Sequence, residues 1–109
     1  MDMPAFPFDV VDWSTVEPEV HPGVTGTATW RVRDFGKIRV RFLEYSPGYR
    51  ADHWCSKGHV LYVLDGQLDT ELQDGRRFTL LPGQSYQVGD NAEAHLSSTE
   101  KGAKLFVVD

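Results

Sequence analysis

Hydrophobic and polar residues alternate along most of the chain after residue 26, with the period of two that is typical of β-strands. Asp-Gly and Pro-Gly pairs separate the alternating segments, and no segment shows the roughly 3.6-residue period of a helix. Many short strands divided by turns are typical of a β-sandwich or a β-barrel. The pattern predicts strands over residues 27–33, 37–45, 60–64, 67–73, 76–81, 85–88, 94–98 and 104–108.

The turns carry predictions of their own. Asp65-Gly66 and Asp74-Gly75 each lie between two predicted strands, and Asp-Gly is a strong β-hairpin signal. We therefore expect a hairpin at each of the two pairs.

The strand over residues 37–45 has one apolar and one basic face. Arg39 and Arg41 share the basic face. If this face lined the interior, the two guanidinium groups could clamp a carboxylate substrate. The pattern leaves that interpretation and a solvated outer face equally open.

Residues 1–27 contain four prolines and lack a sustained alternation. We expect an irregular N-terminal arm over 1–27 that packs on a β-barrel domain over 28–109. Trp13 and Phe8 are the side chains expected to hold the arm on the body, because aromatic rings bury a large apolar area.

Length and charge restrict the function. A chain of 109 residues is expected to form one domain. Its net charge of −5 argues against nucleic acid and against an anionic membrane surface as partners. The chain shows no secretory signal pattern, and the apolar run 60–64 is too short to span a bilayer. A single cysteine makes no intramolecular disulfide, so a reducing, cytoplasmic location is expected.

Candidate metal ligands are concentrated in DHWCSKGH (52–59), which holds two of the four histidines and the only cysteine. On a strand, His53 and Cys55 would point to the same face, and His59 would lie beside them. Antiparallel pairing could bring His95 opposite this pair. Imidazole and thiolate are natural ligands of zinc, copper, nickel and iron. A free cysteine that only packs and histidines that are only solvated remain the alternative.

This region resembles the first motif of the cupin superfamily, which has the form G, five residues, H-x-H, three or four residues, E, six residues, G. Here Gly48 is followed by His53, Cys55, His59 and Gly66, so the gap before the first histidine is one residue shorter. Cys55 takes the place of the second histidine, and His59 takes the place of the glutamate. The residue types therefore depart from the motif at two ligand positions.

A second motif is weaker. The segment 81–88 resembles the strand that precedes the second cupin motif, whose histidine would be His95, and Thr99 takes the place of the usual asparagine. The run 45–59 also resembles a small bacterial family, the "DHCW motif cupin fold" proteins, which has no settled activity. The resemblance implies an all-β, single-domain, cupin-type jelly-roll barrel.

The resemblance also implies a ligand set. Carried over position by position, the four cupin ligands would be His53, Cys55, His59 and His95, which point into the barrel around one divalent transition metal. Thiolate in place of imidazole, and imidazole in place of carboxylate, favour Zn, Fe, Ni or Cu over Mn and Mg. Asp52 or Asp90 could orient a ligand histidine. Candidate pocket residues are Tyr49, Tyr62, Tyr86 and Gln87.

The sequence leaves three functions open. The protein could be a metal-dependent dioxygenase, hydrolase or isomerase that acts on a small polar molecule, although no catalytic residue outside the ligand set can be named. It could instead bind or sense a small ligand without chemistry. In the third interpretation the metal is structural. Open strand edges and the aromatic arm predict a homodimer in each case.

Overall fold

The structure is a computed structural model that describes residues 2–109. In these residues, nine strands and one short 3-10 helix form an almost entirely β architecture. The helix covers Trp13–Thr15, and the strands are β1 (Glu19–Pro22), β2 (Thr27–Phe35), β3 (Ile38–Tyr45), β4 (His59–Gly66), β5 (Leu68–Leu72), β6 (Arg77–Leu80), β7 (Ser85–Val88), β8 (His95–Ser98) and β9 (Ala103–Val108).

The strands form two antiparallel sheets. One sheet has six strands in the order β1-β2-β3-β9-β4-β7, and the other has three in the order β6-β5-β8. Strand β9 lies between β3 and β4, and β8 pairs with β5, so the chain crosses repeatedly between the sheets. These crossovers are those of a jelly roll, which confirms the predicted all-β fold class.

The hairpin predicted at Asp65-Gly66 is wrong. Strand β4 ends at Gly66 while paired with β9, and the next strand, β5, belongs to the other sheet. Gly66 has φ +77°, and a Cβ at this position would lie 2.1 Å from the carbonyl oxygen of Gly102. The glycine therefore allows a crossover between sheets. The hairpin predicted at Asp74-Gly75 is confirmed, because β5 pairs with β6.

The segment expected to be irregular contains an additional strand. Strand β1 pairs with β2 in the register His21 to Ala28 and forms one edge of the six-stranded sheet. Trp13 contacts the ring of Phe106 at a centroid distance of 6.0 Å, as expected for a residue that holds the arm on the body. Phe8, however, is 94% exposed. Phe6 packs instead, at 5.3 Å from the ring of Phe35.

The core lies between the two sheets and follows the predicted alternation. On β4, His59, Leu61 and Val63 face inward and are buried, and the residues between them are half-exposed. The buried apolar cluster comprises Leu43, Leu61, Val63, Leu68, Leu80, Ala103, Leu105 and Val107. Because the inward row of β4 begins with an imidazole, one end of this apolar interior is polar.

The arginine face of β3 is the interior face. Arg41 is 6% exposed, and both arginines bind Asp109, whose side chain is fully buried. The distances are 2.9 Å and 3.1 Å from Arg39 and 3.0 Å from Arg41. Burial alone would raise the pKa of Asp109, but His59 and the two guanidinium groups hold it well below its usual range. The arginines therefore neutralise a carboxylate of the protein itself.

No helix in residues 2–109 has the length and apolar character needed to cross a membrane.

Replacement of Asp109 by asparagine is expected to lower the free energy of unfolding by about 3 kcal/mol, because Arg41 would keep its buried charge without a partner. Since folding lowers the pKa of Asp109, the stabilisation is fully present above the unfolded pKa, about 3.9, and is lost as pH falls through the folded pKa. Urea unfolding at pH 7 would measure the first effect, and a series of measurements extending below about pH 3 would measure the second. Asp74→Asn, which removes an exposed partner of Arg76, is the control and should cost much less. Equal losses from the two variants would contradict this account of the buried network.

Candidate metal centre

Cys55 and His95 are held together by backbone pairing. The amide of Cys55 donates to the carbonyl of His95 at 2.9 Å, and the amide of His95 donates to the carbonyl of Cys55 at 3.0 Å. The two residues thus form an antiparallel bridge outside the regular strands. Directly opposed residues of such a pair direct their side chains to the same face. The predicted antiparallel approach of His95 to the DHWC segment is confirmed.

His59 approaches the same point from the other sheet. It is the first residue of β4, it is 9% exposed, and its ring centroid lies 4.8 Å from that of His95. The preceding Gly58 donates its amide to Asp90 Oδ1 at 2.7 Å, and a Cβ on Gly58 would lie 2.5 Å from the amide nitrogen of Asp90. This close approach ties the start of β4 to the loop after β7.

Three potential metal ligands converge as a result. One ligand atom from each of Cys55, His59 and His95 lies within 4.8 Å of the other two. Within residues 2–109, these three side chains form one group that could hold a single metal ion. The three side chains come from a bridge residue, from the six-stranded sheet and from the three-stranded sheet.

The structure does not bring His53 into this group. Its side chain is 76% exposed, and its Nδ1 lies 2.7 Å from a carboxylate oxygen of Asp52. Asp52 and His53 lie in a bend, and Cys55 is the residue that pairs with another strand. The period-two rule, which would place His53 and Cys55 on one face, needs extended backbone and does not apply across this bend.

Hydrogen bonds orient the His95 ring as a metal ligand requires. Its Nδ1 donates to the carbonyl oxygen of Glu93 at 2.9 Å. This bond places the proton on Nδ1, so Nε2 presents its lone pair. Nε2 is buried and has no hydrogen-bond partner. A buried polar atom without a partner costs free energy, and a metal ion would satisfy it.

His59 has one nitrogen in a hydrogen bond and one without a partner. Nε2 lies 2.8 Å from the hydroxyl of Tyr86, and Nδ1 is buried at 3.7 Å from Asp109 Oδ2, beyond hydrogen-bond distance. Burial raises the pKa of Tyr86 strongly, so its hydroxyl keeps its proton. The tyrosine is a hydrogen-bond donor at the edge of the three-residue group.

The charges of Cys55 and His95 favour each other. The neighbouring His95 imidazole lowers the pKa of the Cys55 thiol, and the thiolate in turn raises the pKa of His95. Partial burial opposes both shifts without cancelling them. A thiol with a lowered pKa is more readily available as thiolate, which is the form that binds metals.

Three other side chains lie elsewhere than the sequence suggested. Asp52 pairs with His53, and Asp90 binds the amide of Gly58, so neither aspartate contacts a ligand of the three-residue group. Tyr62 faces outward from β4 and is 44% exposed. Asp109, the carboxylate beside His59, was not among the site residues predicted from the sequence. The alternation of β9 would have revealed it, because positions 103, 105 and 107 are buried and 109 is the next inward position.

Comparison with known proteins bears on the fold. No protein-family model matches the sequence, and no curated protein matches it. The chain is similar to the crystal structure of a predicted oxalate decarboxylase from Thermotoga maritima, with a TM-score of 0.77 and 17% identity, over 92% of this chain and 96% of that one.

Two further crystal structures agree. A sugar phosphate isomerase from a cupin superfamily, from Silicibacter pomeroyi, has a TM-score of 0.71 at 16% identity, over 92% of this chain and 74% of that one. A cupin-2 domain containing protein from Shewanella frigidimarina has a TM-score of 0.60 at 18% identity, over 73% and 78%. These likenesses establish architecture and do not establish activity, and together they show that this chain has the cupin fold.

Proposed function

We propose that the protein binds one divalent transition metal, Zn, Fe, Ni or Cu, through Cys55, His59 and His95, and that it is a metal-dependent enzyme acting on a small molecule. The observation that carries the proposal is the convergence of one ligand atom from each residue within 4.8 Å. The unpartnered Nε2 of His95, whose other ring nitrogen is already bonded to Glu93, supports it independently.

The donor set fits this class of metal. Imidazole and thiolate suit zinc, copper, nickel and iron better than they suit magnesium or calcium. Two neutral imidazoles and one thiolate leave a divalent ion with a net charge of +1. Three protein ligands also leave one position of a tetrahedral site open, as in catalytic zinc sites, whereas structural zinc sites are closed by four. The exposed position of His53 therefore favours an enzyme over a structural site.

A bound metal would supply Lewis-acid chemistry, polarising a substrate oxygen or lowering the pKa of a bound water. The chain's own residues would do the rest. Tyr86 holds a proton on its hydroxyl next to His59 and can donate a hydrogen bond to a bound molecule. Asp109, fixed by two arginines, lies 3.7 Å from Nδ1 of His59 and places a negative charge beside that ring. The apolar core cluster excludes water from the interior beyond the site.

The reaction type stays a proposal among dioxygenase, hydrolase and isomerase. Among the similar structures, one is a sugar phosphate isomerase and another is a predicted oxalate decarboxylase, which is consistent with an enzyme. A binding or sensing module is the second candidate. The observation that favours it is that the site contains a hydrogen-bond donor, Tyr86, while the nearby carboxylates of Asp109 and Glu93 are each bound by arginine and are therefore poor general bases.

The homodimer and the cytoplasmic location stay predictions as well. Val60, Tyr62 and Leu64 point outward from β4 and are 43%, 44% and 43% exposed, so they form an apolar strip that a second copy would cover. A thiolate ligand is consistent with a reducing compartment, because a free cysteine would be oxidised more readily in an oxidising one.

Purified protein prepared without chelators is expected to hold about one equivalent of transition metal. Cys55→Ser and His95→Ala should each lower metal affinity by more than the roughly 10- to 100-fold typical of residues that only orient a ligand. Elemental analysis of dialysed protein and competition with a chromophoric chelator would measure this. His53→Ala is the matched control and should keep its metal. Loss of metal in that variant would instead support the four-ligand set, and full retention by Cys55→Ser would remove Cys55 from the site.

An open coordination position should be visible in the cobalt(II)-substituted protein. Azide is expected to change the visible spectrum by entering the position that the three protein ligands leave free. Removal of the metal should lower the melting temperature only modestly, because the core packs without it. A spectrum insensitive to azide, together with unfolding on metal removal, would favour a structural metal and contradict the enzyme proposal.

In metal-free protein, the Cys55 thiol is expected to titrate below the ordinary cysteine pKa because His95 stabilises the thiolate. The rate of alkylation by iodoacetamide as a function of pH would report this pKa. His95→Ala should move the alkylation profile to higher pH. His53→Ala should leave the profile unchanged, since its side chain lies outside the group. Identical profiles for wild type and His95→Ala would refute the proposed coupling.

A further inference from the structure

A cavity of about 190 Å³ opens beside His95 between the two sheets. It lies between β6 and β7, which are edge strands of different sheets and share no hydrogen bonds. Its wall is largely apolar and includes Leu72, Phe78, Leu80 and Val88, and Tyr86 and His95 also line it. The cavity therefore joins an apolar compartment to the candidate metal centre.

Phe78 is the unusual residue of this wall. It pairs with Thr70 in the β5–β6 register, so its ring belongs to the interior face, yet it is 49% exposed. Leu80, two residues further along the same face, is only 6% exposed. The core is therefore sealed at Leu80 and left open at Phe78. An apolar group in the cavity would cover the ring that the protein leaves uncovered.

The cavity offers no free positive charge to an anionic substrate. Arg76 is the cation among its lining residues, and it is engaged by Asp74 and by Glu93. The two interior arginines of β3 are engaged by Asp109. A phosphate or carboxylate in this compartment would thus lack a partner and would face the glutamate, which disfavours a charged group there.

Two polar atoms of the cavity wall lack a hydrogen-bond partner, namely His95 Nε2 and the hydroxyl of Thr70. Thr70 pairs with Phe78, and Leu72 pairs with His95, so polar and apolar side chains lie side by side along the wall. His95 is the lining residue that the cavity shares with the candidate metal centre. A ligand that satisfies the wall and the candidate metal centre must combine a polar head with an uncharged apolar group.

We infer that the substrate is an amphipathic small molecule whose polar head binds at the metal centre and whose uncharged apolar group, about the size of one aromatic ring, fills the cavity beside Phe78. The inference rests on the proposed metal site and replaces the small polar molecule expected from the sequence by an amphipathic one. The volume supports the size, because an apolar cavity of about 150 Å³ holds a benzene molecule in another protein, and this one measures about 190 Å³.

A pair of probes with the same head tests the inference. Acetohydroxamate and benzohydroxamate both chelate metals through the same hydroxamate head. Acetohydroxamate carries a methyl group where benzohydroxamate carries a phenyl ring. Each would be titrated into cobalt(II)-loaded protein while the visible spectrum is recorded. Benzohydroxamate is expected to bind at least about tenfold more tightly, since burying a ring of this size is favourable. Phe78→Ala should reduce that preference to within about threefold and leave the cobalt content unchanged.

Two further variants separate the cavity from other effects. Tyr62→Ala removes an aromatic side chain of similar exposure on the opposite, outward face and should keep the full preference. Leu72→Trp should fill the cavity and weaken benzohydroxamate selectively, which tests the same wall without truncating Phe78. Comparing the ratio of the two affinities between variants cancels any intrinsic difference in chelation between the probes.

The outcomes distinguish this inference from the metal proposal. Cobalt-loaded protein that binds both probes equally, or a preference that survives both Phe78→Ala and Leu72→Trp, would overturn the amphipathic substrate and leave the metal site standing. Protein that holds no cobalt at all would overturn the proposed function and this inference with it. A preference lost equally in Tyr62→Ala would also count against the cavity.

Discussion

The candidate site depends on one backbone interaction, the pairing of the segment before β4 with β8. Arg50 forms an antiparallel β-bridge with Ser98, and Cys55 forms one with His95. The segment therefore runs along the edge of the three-stranded sheet that β8 forms. Arg50 also bridges Thr25, near the start of β2 in the six-stranded sheet. The segment thus links the two sheets and also places the Cys55 thiol opposite the His95 imidazole. Without this pairing the cysteine would lie on a free loop.

A second interaction that the candidate site depends on lies in the six-stranded sheet, where two arginines compensate a buried carboxylate. Asp109 has a fully buried side chain, and an unpaired charge there would cost several kcal/mol. Arg39 and Arg41 supply the compensation, and the ring of Trp30 lies 4.6 Å from the guanidinium carbon of Arg41. The carboxylate lies 3.7 Å from Nδ1 of His59, so the arginines fix a charge beside the candidate site. The interior arginines thus bind a carboxylate of the protein, where the sequence left a substrate clamp and a solvated outer face equally open.

Much of this architecture could be predicted, because side chains along a regular strand alternate between its two faces. Alternation located eight of the nine strands, and the resemblance to the cupin motifs predicted that Cys55 and His95 lie together. The failures fall where the backbone is irregular. His53 lies in a bend, and Gly66 allows a crossover that resembles a hairpin in sequence. For Asp109, alternation along β9 indicates an inward side chain, but its partners are distant in sequence and only pairing of β9 with β3 brings them near.

The candidate metal centre and the apolar cavity share one electrostatic environment. With a divalent metal bound by Cys55, His59 and His95, the proposed site would carry a net charge of +1 at the edge of an apolar interior, where a dielectric lower than that of water strengthens its attraction for an electron-rich atom. The same environment penalises any further charge that lacks a partner, and the described cavity provides none. The proposed soft ligands and the uncharged cavity would therefore favour the same kind of molecule. Because Cys55 and His59 stand where the cupin motif has a histidine and a glutamate, the proposed site has no carboxylate ligand, which agrees with the less polar ligand inferred for it.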